Sequence, residues 1–273
     1  MSEIPQSLRQ PPLPGLEDWK PTWPDLMGQA LTMPGHMGDT YSRFYNYSLG
    51  NEVLLFMQGV TEPVNTYNRW KKMGRQVLRG SKAKAIMVPL FRKERDEKSG
   101  EDVRRIRGFK LSNSLFTVSD TEGEDLPEPI VREWSKPRAL GELAIREVPF
   151  EMVNGNIQGY SFERSFAINP VAKYPTKTMM HEIGHIELGH TSLDREDQHK
   201  GVREFGAESV AFLTMHDLGM DDHFDADESR AYIQNWLRNT EVEDSHIRQV
   251  FSATTRVLKA GREPIPEVID EDE

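Results

Sequence analysis

Three residues near the middle of the chain have types and a spacing that could bind a metal ion and activate water. His181, Glu182 and His185 form a His-Glu-x-x-His segment. Residues four apart on a helix project from one face, so the two histidines could both reach a Zn²⁺ ion at about 2.0–2.1 Å. Glu182 would lie about 100° around the helix, beside the metal position, where it could accept a proton from water. The segment predicts a zinc site with Glu182 as the general base, the arrangement of zinc peptidases.

The segment needs a helix to hold it, and the sequence around it predicts one. Pro175 and Thr176 provide a helix start, because proline is favoured in the first turn. The apolar positions that follow would bury one side of this helix: Met179, Met180, Ile183 and Ile186. The other side would then be available to carry the two histidines.

A catalytic zinc ion needs a third protein ligand, and the sequence leaves more than one choice. Glu204 and Glu208 share a face of the next predicted helix, although both could simply face solvent. His190 is a rival ligand, five residues beyond His185 and about 140° away on a helix. It could reach the metal only if the helix ended first, which Gly189 would permit.

The acids of the second helix are similar to a motif of the gluzincin peptidases. In this chain the pattern is Glu204-x-x-Ala207-Glu208, placed after the His-Glu-x-x-His segment. The resemblance implies that Glu204 is the third zinc ligand. It also implies that Glu208 orients one of the ligand histidines.

Composition limits the classes of protein that are compatible with the chain. The 273 residues include no cysteine, which excludes disulfides and thiolate ligands and is compatible with a reducing cytoplasm. No run of about 18 apolar residues is present, so no membrane association is expected. The first residues lack the basic and apolar regions of a secretory signal. We therefore expect a cytoplasmic protein.

The net charge of −10 is unevenly distributed along the chain. Between Arg69 and Lys110 the sequence contains 15 Lys and Arg residues and 5 Asp and Glu residues, a net charge of +10. Such asymmetry predicts a basic surface for nucleic acid joined to an acidic remainder.

The turns expected within this basic segment indicate which of its side chains could contact DNA. A short basic helix is expected to end near Gly74, a turn at Gly80 follows, and a strand should begin near Ala85. Trp70 and Tyr47 are predicted to stack on the bases of single-stranded DNA. The predicted phosphate contacts are Arg75, Arg79, Lys82 and Lys84, and the other predicted DNA-binding residues are Arg69, Lys71 and Lys72.

Several segments of this region resemble the ArdC family of plasmid antirestriction proteins. They are Phe44-Tyr45-Asn46-Tyr47-Ser48 with Asn51 and Gln58, the Gly-Arg-x-Val-x-x-Gly-x-Lys core that starts at Gly74, and Phe116-x-x-x-Asp120-Thr121-Glu122-Gly123. The resemblance implies an α+β fold, in which a domain that binds single-stranded DNA precedes a zincin-like metallopeptidase domain with a small sheet and helices.

The expected organisation has four parts. Residues 1–35 read as an extended, proline-rich arm, 36–130 as the DNA-binding domain, 131–262 as the metallopeptidase domain and 263–273 as a disordered acidic tail. Strands are expected at 85–90, 143–150 and 160–168, and residues 103–117 should form either a strand pair or one long strand. Amphipathic helices are expected around Trp236 and Phe251.

Three functions are compatible with these features. The resemblance favours a protein that coats incoming single strands of mobile-element DNA and carries a zinc peptidase. The alternative is a regulatory peptidase that cleaves a specific repressor or DNA-bound protein. In a third, non-enzymatic interpretation the protein coats DNA and its zinc site is structural.

Overall fold

The structure is a computed structural model that describes residues 21–35, 37–95, 102–128, 132–151, 156–192, 200–240 and 242–265. This part of the chain is an α+β protein, as the sequence predicted. Its helices are α1 (Trp23–Ala30), α2 (Met37–Tyr41), α3 (Leu49–Met57), α4 (Tyr67–Lys72), α5 (Lys136–Glu142), α6 (Pro175–Glu187), α7 (Lys200–Asp217), α8 (Ala226–Asn239) and α9 (Asp244–Gly261).

The described strands form three small sheets. They are β1 (Val64–Thr66), β2 (Arg75–Val77), β3 (Lys84–Arg95), β4 (Asp102–Thr117), β5 (Thr121–Gly123), β6 (Arg146–Glu147), β7 (Gly159–Phe162) and β8 (Ser165–Ile168). The sheet orders are β1-β4-β3, β2-β5 and β6-β8-β7. Only β6 and β8 pair in parallel, and the other described pairs are antiparallel. Strands β3 and β4 make a long hairpin whose far end is exposed on both faces.

The prediction of an extended arm is wrong for residues 23–30, which form α1. Thr22 and Asp25 cap this helix reciprocally, because each side chain accepts a hydrogen bond from the other's backbone N–H. Leu26, Met27 and Ala30 are buried, since α1 packs against α3 and α9. The prolines therefore precede and start a helix. Residues 1–20, and most of the expected acidic tail, lie outside the described residues.

One hydrophobic cluster extends through both halves of the chain. It includes buried residues of α1 and α3 together with α6, α7 and α9. Every residue of α3 is buried, and Leu49 N–H donates to the hydroxyl of Thr255 on α9. The boundary near residue 130 stays a prediction, but the two predicted domains share a core.

Other predicted elements differ in extent. The expected strand 160–168 is two antiparallel strands, β7 and β8, joined by a tight turn in which Glu163 has φ +46°. The expected strand 143–150 is reduced to β6, because Leu143 ends α5. Of the two alternatives for 103–117, the structure has the one long strand, β4, and α6 begins at Pro175 as predicted. No helix in the described ranges is long and apolar enough to cross a membrane.

Candidate metal centre and basic surface

The two histidines of α6 converge as their spacing predicts. The Nε2 atoms of His181 and His185 lie 3.2 Å apart. Met179, Met180, Ile183 and Ile186 on the same helix are buried in the core. The apolar side of α6 therefore fixes its rotation, and the histidines are left facing the cleft.

Helix α7 brings a third ligand atom to these two nitrogens. Glu204 Oε2 lies 3.4 Å from His181 Nε2 and 3.6 Å from His185 Nε2. A tetrahedral ion with bonds of about 2.0–2.1 Å requires its ligand atoms to be about 3.3–3.4 Å apart. His181, His185 and Glu204 thus form a site that could hold a divalent metal ion, with a position left for a non-protein ligand.

The approach of α7 to α6 depends on a glycine. A Cβ atom added at Gly184 would lie 3.0 Å from the carbonyl oxygen of Ala207 and 3.2 Å from Cβ of Val210. Because glycine has no side chain, α7 can pack directly on the backbone of α6. This close packing brings Glu204 and Glu208 to the histidines.

Glu208 contacts the outer nitrogen of His181. Its Oε2 lies 3.1 Å from His181 Nδ1, so Nδ1–H can donate to the carboxylate while Nε2 keeps its lone pair for a metal. Lys177 Nζ donates to the same oxygen at 2.7 Å, and the Ser229 hydroxyl donates to Oε1 at 2.7 Å. Glu208 is therefore held on three sides and fixes the orientation of His181.

His190 lies against His185 and not among the ligand atoms. Its Nδ1 is 3.0 Å from Nδ1 of His185, on the side of the ring away from Glu204. Gly189 adopts φ +75° and ends the helix, as the rival assignment required. Because the helix ends there, His190 lies beside Nδ1 of His185. It can accept the proton of that nitrogen and so orient His185 as a ligand.

Glu182 is buried and is not one of the ligand atoms. Its Oε2 accepts a hydrogen bond of 2.6 Å from the hydroxyl of Ser161 on β7, an edge strand of its sheet. Ser161 has no spacing relation to the His-Glu-x-x-His segment, so the sequence carries no signal for its role. Its hydrogen bond fixes the carboxylate of Glu182 against the edge of the sheet.

The site residues alter each other's pKa values. Burial acts to lower the pKa of His181, but the carboxylates of Glu204 and Glu208 outweigh it and raise that pKa to about 9. Hydrogen bonds to His181 and His185 hold the pKa of Glu204 well below its usual range. For Glu208, burial acts to raise the pKa, yet His181 and Lys177 lower it to about 2. Both acids are therefore carboxylates at neutral pH.

The structure does not support the prediction that Trp70 and Tyr47 stack on DNA bases. Trp70 is fully buried, where its Nε1–H donates to the carbonyl of Phe116 at 2.9 Å and its ring contacts Phe44. Tyr47 is only 5% exposed. Both rings serve the core, because the long-range packing of α4 and of the segment after α2 turns them inward.

The predicted basic residues differ in what their side chains do. Lys71, Lys72, Arg79 and Lys82 are exposed, while Arg69 and Lys84 are half-buried. The guanidinium of Arg75 is taken up by β5, since it donates to the hydroxyl of Thr121 at 2.9 Å, to the Thr121 carbonyl at 3.1 Å and to the Glu124 carbonyl. The prediction of a phosphate contact is therefore not supported for Arg75.

Two other aromatic side chains are exposed beside these basic residues. Tyr45 is 42% exposed and lies under the guanidinium of Arg69, whose Cζ is 3.9 Å from the ring centroid. Tyr67, the first residue of α4, is 44% exposed. These rings, rather than those of Trp70 and Tyr47, are accessible for stacking.

The fold and the site define an α+β protein with a His-His-Glu centre suited to a divalent metal ion. Residues 14–118 match the family model described as the N-terminal domain of anti-restriction factor ArdC. This stretch of the chain is therefore similar to the N-terminal domain of ArdC, as the sequence predicted.

Two solved structures are similar to the chain over most of its length. The metal-free crystal structure of the antirestriction ArdC protein from the R388 plasmid has 20% sequence identity and a TM-score of 0.48, covering 88% of this chain and 94% of that one. The Mn(II)-bound structure of the R388 protein has 19% identity and a TM-score of 0.49, covering 88% and 95%. No curated protein sequence matches the chain.

Proposed function

We propose that the protein is a cytoplasmic antirestriction factor that binds single-stranded DNA through its N-terminal half and hydrolyses peptide bonds at a zinc centre. The antirestriction assignment is supported by the ArdC-type domain at residues 14–118. The peptidase assignment is supported by the near-tetrahedral spacing of His181, His185 and Glu204. Two imidazoles and one carboxylate are a donor set that Zn²⁺ accepts in catalytic sites.

Each residue around the centre has a separate role in the proposed hydrolysis. Bound Zn²⁺ would supply Lewis acidity for the scissile carbonyl and for water. Glu182 accepts the proton of the attacking water, and Ser161 holds that carboxylate in place. Glu208 and His190 keep the two ligand imidazoles in the tautomer that presents Nε2. Edge strand β7 can pair with an extended peptide by strand addition.

The variant Glu182→Gln tests the catalytic part. We expect it to keep zinc and fold but to lose about 10²–10⁴-fold in peptidase rate, because it removes the general base. Metal content, cleavage of a peptide library and protection of incoming DNA from restriction are measured in parallel. Glu142→Gln, an exposed acid on α5, is the control. A parental rate in Glu182→Gln would remove this residue from the mechanism.

The protection assay separates the three functions. Protection that survives Glu182→Gln favours a DNA coat, whereas protection that disappears with peptidase activity favours proteolysis. Cleavage of one repressor without any protection would favour the regulatory peptidase.

The DNA-binding part is supported by the basic run from Arg69 to Lys84, which contains seven Lys and Arg residues and no acid. The exposed rings of Tyr45 and Tyr67 lie within or beside this run. Exposed cations can neutralise phosphates while exposed aromatic rings stack on bases without regard to sequence.

Charge reversal at Arg79 and Lys82 tests this surface. The double change to Glu should weaken binding to all single strands alike and flatten the salt dependence, which is about 0.7 in log affinity per phosphate neutralised. Tyr45→Ala should weaken binding with little change in that slope. The full chain is used, because α3 and α9 share a core. Reversal of the exposed Arg238 and Arg248 is the matched control, and an equal loss there would refute the assigned surface.

A further inference from the structure

A cavity of about 380 Å³ opens beside the candidate metal centre. It reaches the centre through His181 and Glu204. Its opposite wall is built from α8, the two residues before it and the residue before α6, and the side chains there are Tyr174, Phe224, Asp225, Glu228 and Tyr232. Lys177 of α6 also lines the cavity, and its ammonium group is paired with Glu208. A group held in this cavity would therefore lie next to the reacting bond of a peptide at the metal.

The wall from α8 is held in place by the centre itself. Asp225 caps the helix by accepting a hydrogen bond from the N–H of Glu228 at 3.0 Å, and Ser229 and Tyr232 follow on the same face. The Ser229 hydroxyl donates to Glu208, which also contacts His181. The first turns of α8 are thus fixed in position relative to the metal ligands.

The four acids that line the cavity differ in how their charges are compensated. Glu204 belongs to the ligand cluster, and Glu208 is paired with Lys177 and His181. Asp225 and Glu228 are exposed to solvent and form no salt bridge among the residues that the structure describes. With a metal ion bound, these two carboxylates give the cavity wall its negative charge.

One exposed cation of the chain, Lys173, lies against the ring of a residue of this wall. Lys173 Nζ lies 4.7 Å from the ring centroid of Tyr174. The Tyr174 side chain chiefly raises the pKa of this ammonium group, and Asp225 and Glu228 add to the effect. Aromatic faces and carboxylates together favour an ammonium or guanidinium group.

We propose that this cavity is the subsite for a basic side chain, lysine or arginine, of a peptide held at the metal centre. The proposal rests on the proposed peptidase function and adds the class of substrate. Asp225 and Glu228 would pair with the positive head group, while Tyr174, Phe224 and Tyr232 would cover its aliphatic stem.

Binding of metal-anchored probes to the zinc-loaded full chain tests the proposal without requiring turnover. The probes are peptide hydroxamates that carry either arginine or citrulline, which has nearly the same shape and no charge. Two pairs are used, with this residue before or after the metal-binding group. In one of the pairs we expect arginine to bind about ten-fold more tightly than citrulline, as for a charge-assisted hydrogen bond.

The acids are tested by changes that keep their shape. Asp225→Asn retains a good helix cap and Glu228→Gln retains the length of the side chain, so the double variant should fold. It should bind arginine and citrulline probes nearly equally. Asp227→Asn is the matched control, because this acid lies in the same helical turn, is 94% exposed and pairs with Arg230. The control should keep the arginine preference.

The outcomes separate this proposal from the peptidase function. Equal binding of both probes to the parent, or a preference that survives in the double variant, would overturn the subsite. Failure of all hydroxamates to bind would also overturn it. Cleavage of a peptide library decides the peptidase function independently, and there the subsite predicts basic residues beside the cleaved bond.

Discussion

At the scale of single residues, Glu204 and Glu208 are both within reach of His181, but they meet different nitrogens. Glu204 faces Nε2, whereas Glu208 faces Nδ1. Glu204→Ala should therefore abolish stoichiometric zinc binding. Glu208→Ala should weaken it by about 10–100-fold, because it only orients the ligand. Metal content and calorimetric titration of zinc measure both. Complete loss in Glu208→Ala alone would reverse the assignment, and Asp227→Asn should match the parent.

At the scale of the elements, the centre depends on how closely α6 and α7 pack. Gly184→Ala places a methyl group 3.0–3.2 Å from the backbone and side chains of α7. We expect α7 to move outward by a few tenths of an ångström, carrying Glu204 and Glu208 from the histidines, and zinc affinity to fall about ten-fold. Stability should change little, because the higher helix propensity of alanine, about 1 kcal/mol, offsets the cost of moving α7.

Gly141→Ala is the matched control for this packing. Gly141 also lies in a helix, α5, but an added Cβ would meet no atom within 4 Å. This variant should gain up to about 1 kcal/mol in stability and keep the parental zinc affinity. Equal zinc affinities of the two variants would show that the close approach at Gly184 is not needed for the centre.

At the scale of the whole molecule, ionisable side chains join the N-terminal and C-terminal halves. Glu52 on α3 accepts a hydrogen bond of 2.6 Å from Ser42, and Arg262 after α9 pairs with Asp217 of α7 and Asp39 of α2. Burial, with a smaller effect from Asp217, raises the pKa of Glu52 to about 8. The unfolded value is about 4.3.

This difference predicts how stability depends on pH. Between about pH 4 and pH 8 the native protein binds more protons at Glu52 than the unfolded chain, so this residue makes the free energy of unfolding fall as pH rises. Glu52→Gln should therefore be more stable than the parent at pH 8 and should lose this advantage near pH 5. Urea unfolding at both pH values measures it. The exposed Glu122→Gln is the control, and a pH-independent difference for Glu52→Gln would refute the explanation.

The sequence by itself determined the features that depend on local geometry. The four-residue spacing of His181 and His185 fixes both on one helix face, whatever the rest of the fold. Gly74 and Gly80 predicted tight turns, and both adopt positive φ. The ArdC-like character of the N-terminal region and the α+β class also followed from segments that can be read along the chain.

Only the tertiary structure decided which residues meet across the fold. The buried rings of Trp70 and Tyr47, the helix at Trp23–Ala30 and the hydrogen bond from Ser161 to Glu182 depend on packing between distant segments. The same holds for Glu204, which faces the two Nε2 atoms because α7 packs on Gly184, and for Asp225 and Glu228, which reach the cavity through α8. Helical periodicity specifies which side chains share a face, but it does not specify what packs against that face, because that depends on the burial of apolar surface over the whole chain.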